Sequence, residues 1–63
     1  MTFAEKVKYV RKQLDLSQEK LAVLLEVSFA TVNRWEKGHA MPSYAAQQKF
    51  NQLCKSNGIT IEE

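Results

Sequence analysis

Two neighbouring residues, Asn33 and Arg34, carry the most specific hydrogen-bonding groups of a short predicted helix that ends at Gly38. At about 100° per residue, the apolar stripe of this helix lies on one side, and the opposite side has no carboxylate. The side chains on that opposite side are Ala30, Asn33, Arg34 and Lys37. An asparagine matches the paired donor and acceptor of adenine in the major groove, and an arginine matches the two acceptors of guanine. The face is therefore suited to reading DNA, whereas the alternative is two polar residues that merely face water.

Residues 17–38 contain the two short helices, and the tight bend between them, that would position this face. Ser17 is a suitable N-cap for the first helix, because its hydroxyl can accept a backbone N–H and apolar residues then recur at helical spacing. These apolar residues are Leu21, Ala22, Leu24 and Leu25. The periodicity breaks at Glu26. Ser28 offers a second N-cap, and Gly38 ends the second helix.

Residues 17–43 read S-Q-E-x-L-A-x-x-L-x-V-S-x-x-T-V-x-R-W-E-x-G-x-x-x-P-S, where x marks a position left open. This pattern resembles the helix-turn-helix of the phage Cro and cI-repressor family, also called XRE-type. The resemblance implies an all-α, lambda-repressor-like DNA-binding domain, a bundle of four to five helices with a central helix-turn-helix. It also implies a transcriptional regulator, a repressor rather than an activator, that binds double-stranded DNA sequence-specifically through a major-groove recognition helix. The expected form on DNA is a homodimer on a palindromic site, with half-sites about one helical turn apart.

The resemblance assigns eight positions of this chain to the DNA interface. They are Gln18, Ser28, Phe29, Ala30, Thr31, Asn33, Arg34 and Lys37. The base edges would be met by Phe29, Ala30, Asn33 and Arg34. Gln18 and Lys37 would hold phosphates together with backbone N–H groups. Phe29 lies at the margin between the two faces of its helix, so contact with a thymine methyl and partial burial both stay open.

Two inward-facing residues of the second helix need partners inside the domain. Glu36 lies on the inner side, where an isolated charge is costly to bury. In the family this position typically pairs with an arginine, and the resemblance carries that structural ion pair onto Arg11 and Glu36. The alternative is two independent solvated charges. Trp35 follows Val32 on the inner stripe, which predicts a core side chain rather than one that stacks on bases.

The chain departs from the family pattern at two places. The bend usually carries Gly, which tolerates positive φ, where this chain has Glu26, so some strain or a slightly altered turn is expected. The loop after Gly38 is often rich in Lys or Arg, but here it reads His39, Ala40 and Met41. Fewer phosphate contacts should make DNA binding weaker and less salt-dependent than in a strongly basic relative.

Supporting helices are predicted on both sides of residues 17–38. Thr2 and Glu5 have the spacing of a capping box at the start of a first helix. Its apolar stripe consists of Phe3, Val7, Val10 and Leu14. Ser43 caps a fourth helix, which completes the core. The apolar positions of that helix are Tyr44, Phe50, Leu53 and Cys54.

The C-terminal residues leave two interpretations open. Thr60 and Glu63 are spaced as a capping box, and residues 58–63 resemble the start of the family's fifth helix. The alternation of Ile59, Thr60 and Ile61 could instead form a small strand with a partner chain. The chain is accordingly either a short natural protein or the DNA-binding part of something longer.

Composition is that of one small globular domain, residues 1–63, near the lower size limit for an adequate core. The apolar fraction is 44%, the charged fraction is 25% and the net charge is +2. Glu62 and Glu63 lie together at the end of the sequence, so the rest of the chain carries a higher net positive charge. This distribution suits a phosphate-containing partner, and the alternative is a solvated surface of mixed charge. Because no signal peptide or membrane-length apolar run is present, we expect a cytoplasmic protein. The resemblance implies that it is a bacterial or phage protein associated with the nucleoid.

No pattern in the sequence indicates catalysis. Cys54, the only cysteine, is expected to be a small buried hydrophobe, and the only histidine, His39, has no ligand neighbours at metal-site spacing. We therefore predict no enzyme, no cofactor, no metal and no evident small-molecule ligand. The alternatives to a free-standing regulator are a DNA-targeting module of a larger protein, an antitoxin component, or a protein-interaction module that does not bind DNA.

Overall fold

The computed structural model describes residues 1–61, which form four α-helices with no β-strand among them. The helices are α1 (Phe3–Leu14), α2 (Gln18–Leu25), α3 (Phe29–Glu36) and α4 (Tyr44–Ser56). The all-α class is confirmed, with the smaller of the two expected numbers of helices in this part of the chain. α3 packs against both α1 and α2, and α2 also contacts α4. Consequently α3, which carries the predicted base-reading residues, is held from two sides.

Each helix begins at a hydroxyl side chain that accepts a backbone N–H from three residues further on. These N-caps are Thr2, Ser17, Ser28 and Ser43, with distances of 3.2, 3.0, 3.1 and 3.2 Å. Glu5 accepts the backbone N–H of Thr2 at 2.8 Å, which completes the predicted capping box. Because one such cap typically stabilises a helix by about 1 kcal/mol, the caps decide where these short helices start.

The bend between α2 and α3 contains Glu26 in the left-handed conformation, with φ at 57°. The expectation of positive φ at a non-glycine residue is confirmed. The backbone N–H of Glu26 closes α2 by donating to the carbonyls of Ala22 and Val23. Its carboxylate forms a 2.9 Å salt bridge with Nζ of Lys49 on α4. The hydrogen bond from Lys49 and the positive charge of Lys49 lower the pKa of the Glu26 carboxyl, so the pair stays ionised. The salt bridge connects α4 to the bend.

The core is built from one face of every helix. Its buried members are Val7, Val10, Leu21, Ala22, Leu25, Val32, Trp35, Ala46, Phe50 and Cys54. The ring of Phe3 connects three helices, because it meets Trp35 edge-on at 5.4 Å and Phe50 at 5.2 Å between ring centroids. Burial also raises the pKa of the Cys54 thiol. The cysteine therefore stays protonated and packs as an apolar side chain.

Two residues on the predicted apolar positions are not core residues. Leu24 is 52% exposed and Tyr44 is 81% exposed. Leu24 lies beside the stripe that buries Leu21 and Leu25, so the inner face of α2 is narrower than its apolar sequence suggests. Tyr44 is the first residue of α4 and lies roughly opposite Phe50 around the helix, so its side chain points into solvent.

The residues after α4 form no regular structure as far as residue 61. Gly58 has φ at 66°, and the N–H of Ile59 donates to the carbonyl of Cys54 at 2.9 Å, which ends α4. Ile59 and Ile61 are partly buried and pack against the core. The expected start of a fifth helix does not form through residue 61, and Glu63, the second half of the proposed capping box, lies outside the described residues.

Candidate nucleic-acid interface

The inner side of α3 is buried against the core. Val32 is fully buried, Trp35 is 2% exposed and Glu36 is 8% exposed. At the far end, Gly38 adopts φ of 76° and the N–H of His39 donates to the carbonyl of Arg34 at 2.9 Å. This arrangement closes the helix after the last turn. The start, the end and the rotation of α3 about its axis are therefore all fixed by contacts within the domain.

The outer side of α3 is open to solvent. Phe29 is 50% exposed. The eight predicted interface residues divide into exposed ones, namely Ser28, Phe29, Ala30, Arg34 and Lys37, and half-buried ones, namely Gln18, Thr31 and Asn33. Seven of them lie on α3 or at its caps, and Gln18 lies at the start of α2. The fold connects Gln18 to α3 through a hydrogen bond from its side-chain amide to Glu36.

Two hydroxyls at the start of α3 hydrogen-bond to each other. Oγ of Ser28 lies 2.9 Å from Oγ1 of Thr31, and the same oxygen accepts the backbone N–H of Thr31 at 3.1 Å. Part of the hydrogen-bonding capacity of the pair is therefore used inside the first turn. The remaining outward side chains of that turn, Phe29 and Ala30, are apolar.

Beneath α3, Arg11 of α1 and Glu36 form a two-pronged ion pair. Nε of Arg11 lies 2.5 Å from Oε2 of Glu36, and Nη2 lies 2.9 Å from Oε1. Nη1 of Arg11 donates to the carbonyl of Leu16 at 3.1 Å, and Nε2 of Gln18 donates to Oε1 of Glu36 at 3.1 Å. The Glu36 side chain is 6% exposed and the Arg11 side chain 26%. The network joins α1, the link between α1 and α2, the start of α2 and the end of α3.

The ion pair keeps Glu36 charged although it is buried. Burial by itself raises the pKa of the carboxyl, but hydrogen bonds from Arg11 and Gln18, with the charges of Arg11 and Lys8, outweigh it and leave the pKa below its usual value. The hydrogen bond to Glu36 in turn raises the pKa of Arg11. Paired, directional partners of this kind satisfy the hydrogen-bonding capacity of the buried carboxylate.

The exposed cations of the outer side have no carboxylate partner within residues 1–61. Neither Arg34 nor Lys37 takes part in a salt bridge there, while Glu36 and Glu26 are each neutralised by another cation. No acidic residue lies on the outward side of α3. The exposed charges on this side of α3 are therefore positive, as binding of a polyanion requires.

Sequence reasoning did not identify Lys49 as a partner of the bend. Lys49 lies 23 positions beyond Glu26 in the chain, and no local pattern connects the two. The pair exists because α4 passes the end of α2. The same applies to the bond between Gln18 and Glu36, which are 18 positions apart.

The described residues also form a surface depression away from α3. It lies between α1, α4 and residues 58–61, and no residue of α3 lines it. Residues 1–61 hold no group of three or more His, Cys, Asp or Glu side chains placed to bind a metal ion. None of the helices in this range has the length and apolar character needed to cross a membrane.

The two capped helices α2 and α3, joined by a left-handed bend and presenting an exposed second helix, define a helix-turn-helix domain. The family model described as Helix-turn-helix matches residues 7–49, more than half of the chain. The chain belongs to this XRE-type helix-turn-helix family of DNA-binding transcription regulators. Enzymes are not typical of the family.

Two curated relatives illustrate the match. The chain is 37% identical over 43 residues to the HTH-type transcriptional regulator DicA of Escherichia coli (strain K12), which covers 68% of this chain and 32% of that protein. It is 33% identical over 63 residues to the HTH-type transcriptional activator BcrR of Enterococcus faecalis, which covers 100% of this chain and 29% of that protein. The chain thus spans about a third of the length of these relatives. No solved structure gave a significant match.

Proposed function

We propose that the chain is a single DNA-binding domain, residues 1–63, that recognises a specific double-stranded sequence by laying α3 in the major groove. The observation that carries this proposal is the contrast between the two sides of α3. The inner side is buried and ion-paired, whereas the outer side is exposed, cationic and free of carboxylates. Such a helix can enter a groove without breaking any contact that holds the domain together.

In this proposal, two side chains read base edges by hydrogen bonding. Asn33 supplies the paired donor and acceptor that match adenine, and Arg34 supplies the fork of donors that matches guanine. Arg34 is exposed and has no salt-bridge partner in residues 1–61, so no internal bond has to be broken before it reaches a base. Phe29 and Ala30 add apolar contacts from the first turn.

The phosphate contacts are proposed to come from both ends of the motif. Gln18 donates one of its two amide hydrogens to Glu36, and the second remains available to a phosphate oxygen. Because the first hydrogen bond fixes the amide, Gln18 would position the domain on the backbone rather than select a sequence. Lys37 and the free N–H groups at the start of α2 would supply the remaining contacts. Ser28 and Thr31 would shape the first turn of α3.

The regulatory role is proposed to be repression, by a homodimer on a palindromic site in the bacterial or phage nucleoid. Two copies of the domain related by a two-fold axis would place their α3 helices in successive major grooves, about 34 Å apart. The name of the Enterococcus faecalis relative favours a second possibility, which is activation from the same bound position. Both roles use the same DNA-reading surface and differ in where the operator lies.

A second candidate is a DNA-targeting module of a longer protein. The share of the relatives' length that the chain covers, about a third, favours this candidate. In that case the domain would select the DNA site, and a different segment would provide dimerisation or regulation.

The test is selection of genomic DNA fragments by the purified chain at moderate salt, followed by sequencing. Three proteins are compared, namely the wild type, the Asn33→Ala/Arg34→Ala double variant, and Lys55→Ala. Lys55 is an exposed cation at the end of α4, so its removal also costs one positive charge and serves as the matched control. We expect one palindromic site to be enriched by the wild type and by Lys55→Ala but not by the double variant. Equal, weak retention of all fragments by the three proteins would contradict base reading by α3.

A further inference from the structure

The outward face of α2 carries apolar side chains that no element of the described chain covers. Val23 is 75% exposed and Leu24 is 52% exposed. Together with Leu16 they line an open depression, and Glu19 and Lys20 line it as well. We call these five residues the α2 patch. Apolar surface of this kind is stabilised when a partner removes it from water.

The α2 patch is separate from the core and from the proposed DNA interface. The buried residues of α2 are Leu21, Ala22 and Leu25. At about 100° per residue, Val23 lies roughly opposite these three around the helix. None of the eight residues assigned to the DNA interface belongs to the patch. Packing within the domain and DNA binding by α3 therefore both leave the patch uncovered.

The two charges of the α2 patch have no partner inside the domain. Successive residues of a helix do not face each other, so Glu19 and Lys20 are not placed to pair within one copy. Neither side chain takes part in a salt bridge or a side-chain hydrogen bond within residues 1–61. The patch thus combines apolar side chains with one unpaired charge of each sign. Such a surface can complement a copy of itself, because each charge finds its opposite on the other copy.

One arrangement of two copies pairs every part of the α2 patch. If two α2 helices pack antiparallel with the two-fold axis between residues 19 and 20, Glu19 of each copy faces Lys20 of the other. Leu16 and Val23 are equally far from this axis along the chain, so Leu16 of each copy faces Val23 of the other, and Leu24 lies next to them. Apolar side chains then meet apolar side chains, and no like charges face each other directly.

We propose that a second copy of this chain docks on the α2 patch as an antiparallel two-fold pair. Leu16, Val23 and Leu24 supply the apolar contacts, and two reciprocal ion pairs between Glu19 and Lys20 set the register. The inference goes beyond the proposed function, because the pair forms without DNA and uses none of the residues assigned to the DNA interface. Stable interfaces typically use about 20–30 residues a side, so a patch of this size gives a weak pair, with Kd of roughly 0.1–1 mM.

The test is sedimentation equilibrium of the full chain at low salt without DNA, at concentrations up to about 1 mM. The proteins are the wild type, Glu19→Lys, Lys20→Glu, an equimolar mixture of these two variants, Val23→Asp and Met41→Asp. Met41 is 76% exposed and lies outside the patch, so its variant controls for placing an acid at an exposed apolar position. Circular dichroism confirms that each variant is folded.

We expect the average mass of the wild type to rise with concentration from the 7.2 kDa monomer towards twice that value. Each single charge reversal should weaken self-association by at least about fivefold, because two ion pairs become two repulsions. The mixture should associate again, since a pair of one Glu19→Lys copy and one Lys20→Glu copy regains both ion pairs. Val23→Asp should abolish the rise in mass, and Met41→Asp should keep it.

Three results would overturn the proposal. A wild type that stays monomeric up to about 1 mM would leave the α2 patch to a different protein. Association of Val23→Asp equal to that of the wild type would place the contact elsewhere on the domain. A mixture that associates no better than its two components alone would show that Glu19 and Lys20 do not face each other across the pair. None of these results changes the assignment of α3 to DNA, which the fragment selection tests separately.

Discussion

The two sides of α3 are only eight residues of the same helix, yet they are under different constraints. On the inner side, Val32, Trp35 and Glu36 are between 0% and 8% exposed and contact α1 or α2. On the outer side, Phe29 is half exposed and Arg34 has no salt-bridge partner within residues 1–61. Substitutions on the inner side should therefore change stability, and substitutions on the outer side should change DNA affinity alone.

This separation lets a domain of 63 residues combine a packed scaffold with an exposed surface that is free to contact a partner. A core this small leaves little stability to lose, so its inward positions tolerate few changes. The outward side chains of Phe29, Ala30 and Arg34 are exposed, so they can differ without unfolding the domain. Measurements of the free energy of unfolding and of the free energy of DNA binding on the same variants test whether the two sides differ in this way.

The largest effect is expected from Trp35→Ala. The side chain is 2% exposed and packs edge-on against Phe3, so its removal leaves a cavity in the centre of the core. The loss should be about 3–5 kcal/mol, which is comparable to the whole stability of so small a domain. Thermal unfolding followed by circular dichroism should show no cooperative transition above room temperature. A cooperative, near-native melting curve would show that the buried side chain of Trp35 contributes less to stability than proposed.

Arg11→Met comes next. It leaves the Glu36 carboxylate buried with Gln18 as its remaining hydrogen-bond donor, which should cost about 3 kcal/mol in urea denaturation. The double variant Arg11→Met/Glu36→Leu removes both charges and should recover much of that loss. If the single and double variants are equally unstable, packing of the arginine stem rather than the unpaired charge explains the loss.

Arg34→Ala tests the outer side directly. Loss of a two-pronged contact to guanine should weaken binding by roughly 1–3 kcal/mol, or about 5- to 150-fold in Kd. The free energy of unfolding should stay within about 0.5 kcal/mol of the wild type, since the side chain is exposed and makes no salt bridge in the described range. Titration of the selected operator and urea denaturation of the same sample measure the two quantities. If Arg34→Ala loses enough stability to explain its weaker DNA binding, the outer side also contributes to folding, and the proposed difference between the two sides of α3 is wrong.

The dependence of stability on pH is a smaller effect that again comes from the inner side. Because the pKa of Glu36 lies below its ordinary value of 4.5 in the folded state, the carboxylate contributes stability above pH 4.5. That contribution is lost as the pH falls through the lowered pKa. Glu5 and Glu26 act in the same direction, but both are exposed, so their shares are small. Unfolding by urea between pH 3 and pH 7 should show a slope below about pH 4.5 that is shallower in Glu36→Gln.

The smallest effect is expected from Glu26→Gly. Glycine adopts the positive φ of the bend without strain, but the substitution also removes the salt bridge to Lys49. Since the pair is exposed, the two effects should nearly cancel and the melting temperature should change by only a few degrees. Lys49→Ala removes the salt bridge and keeps the backbone, so it measures the ion pair alone. A large loss in Lys49→Ala would show that α4 holds the bend in place.

Much of the fold could be predicted from the sequence because its determinants are local. The N-caps Thr2, Ser17, Ser28 and Ser43 bond to backbone groups three residues away, so each helix start is encoded in four consecutive residues. Helical periodicity likewise placed Trp35 and Val32 in the core. The positive φ of Glu26 followed from the resemblance of the bend to the family pattern.

Local patterns failed where burial depends on which helix lies opposite. Leu24 and Tyr44 are apolar and occur at plausible spacing, but no neighbouring element covers them. A helix pattern indicates which residues can be buried, whereas the packing partners determine how wide the buried face becomes. The sequence analysis also did not predict the hydrogen bond between the hydroxyls of Ser28 and Thr31, although the two residues are only three positions apart.

The helix starts, the bend and the types of side chain on the outer side of α3 follow from local sequence. The packing of the helices, in contrast, brings Arg11 and Gln18 together at Glu36 and places Lys49 beside the bend. These contacts join residues 18 to 25 positions apart, so they exist only after the helices have packed. Caps and periodicity act within one or two helical turns, whereas the orientation of α3 relative to the rest of the domain is a property of the packed core.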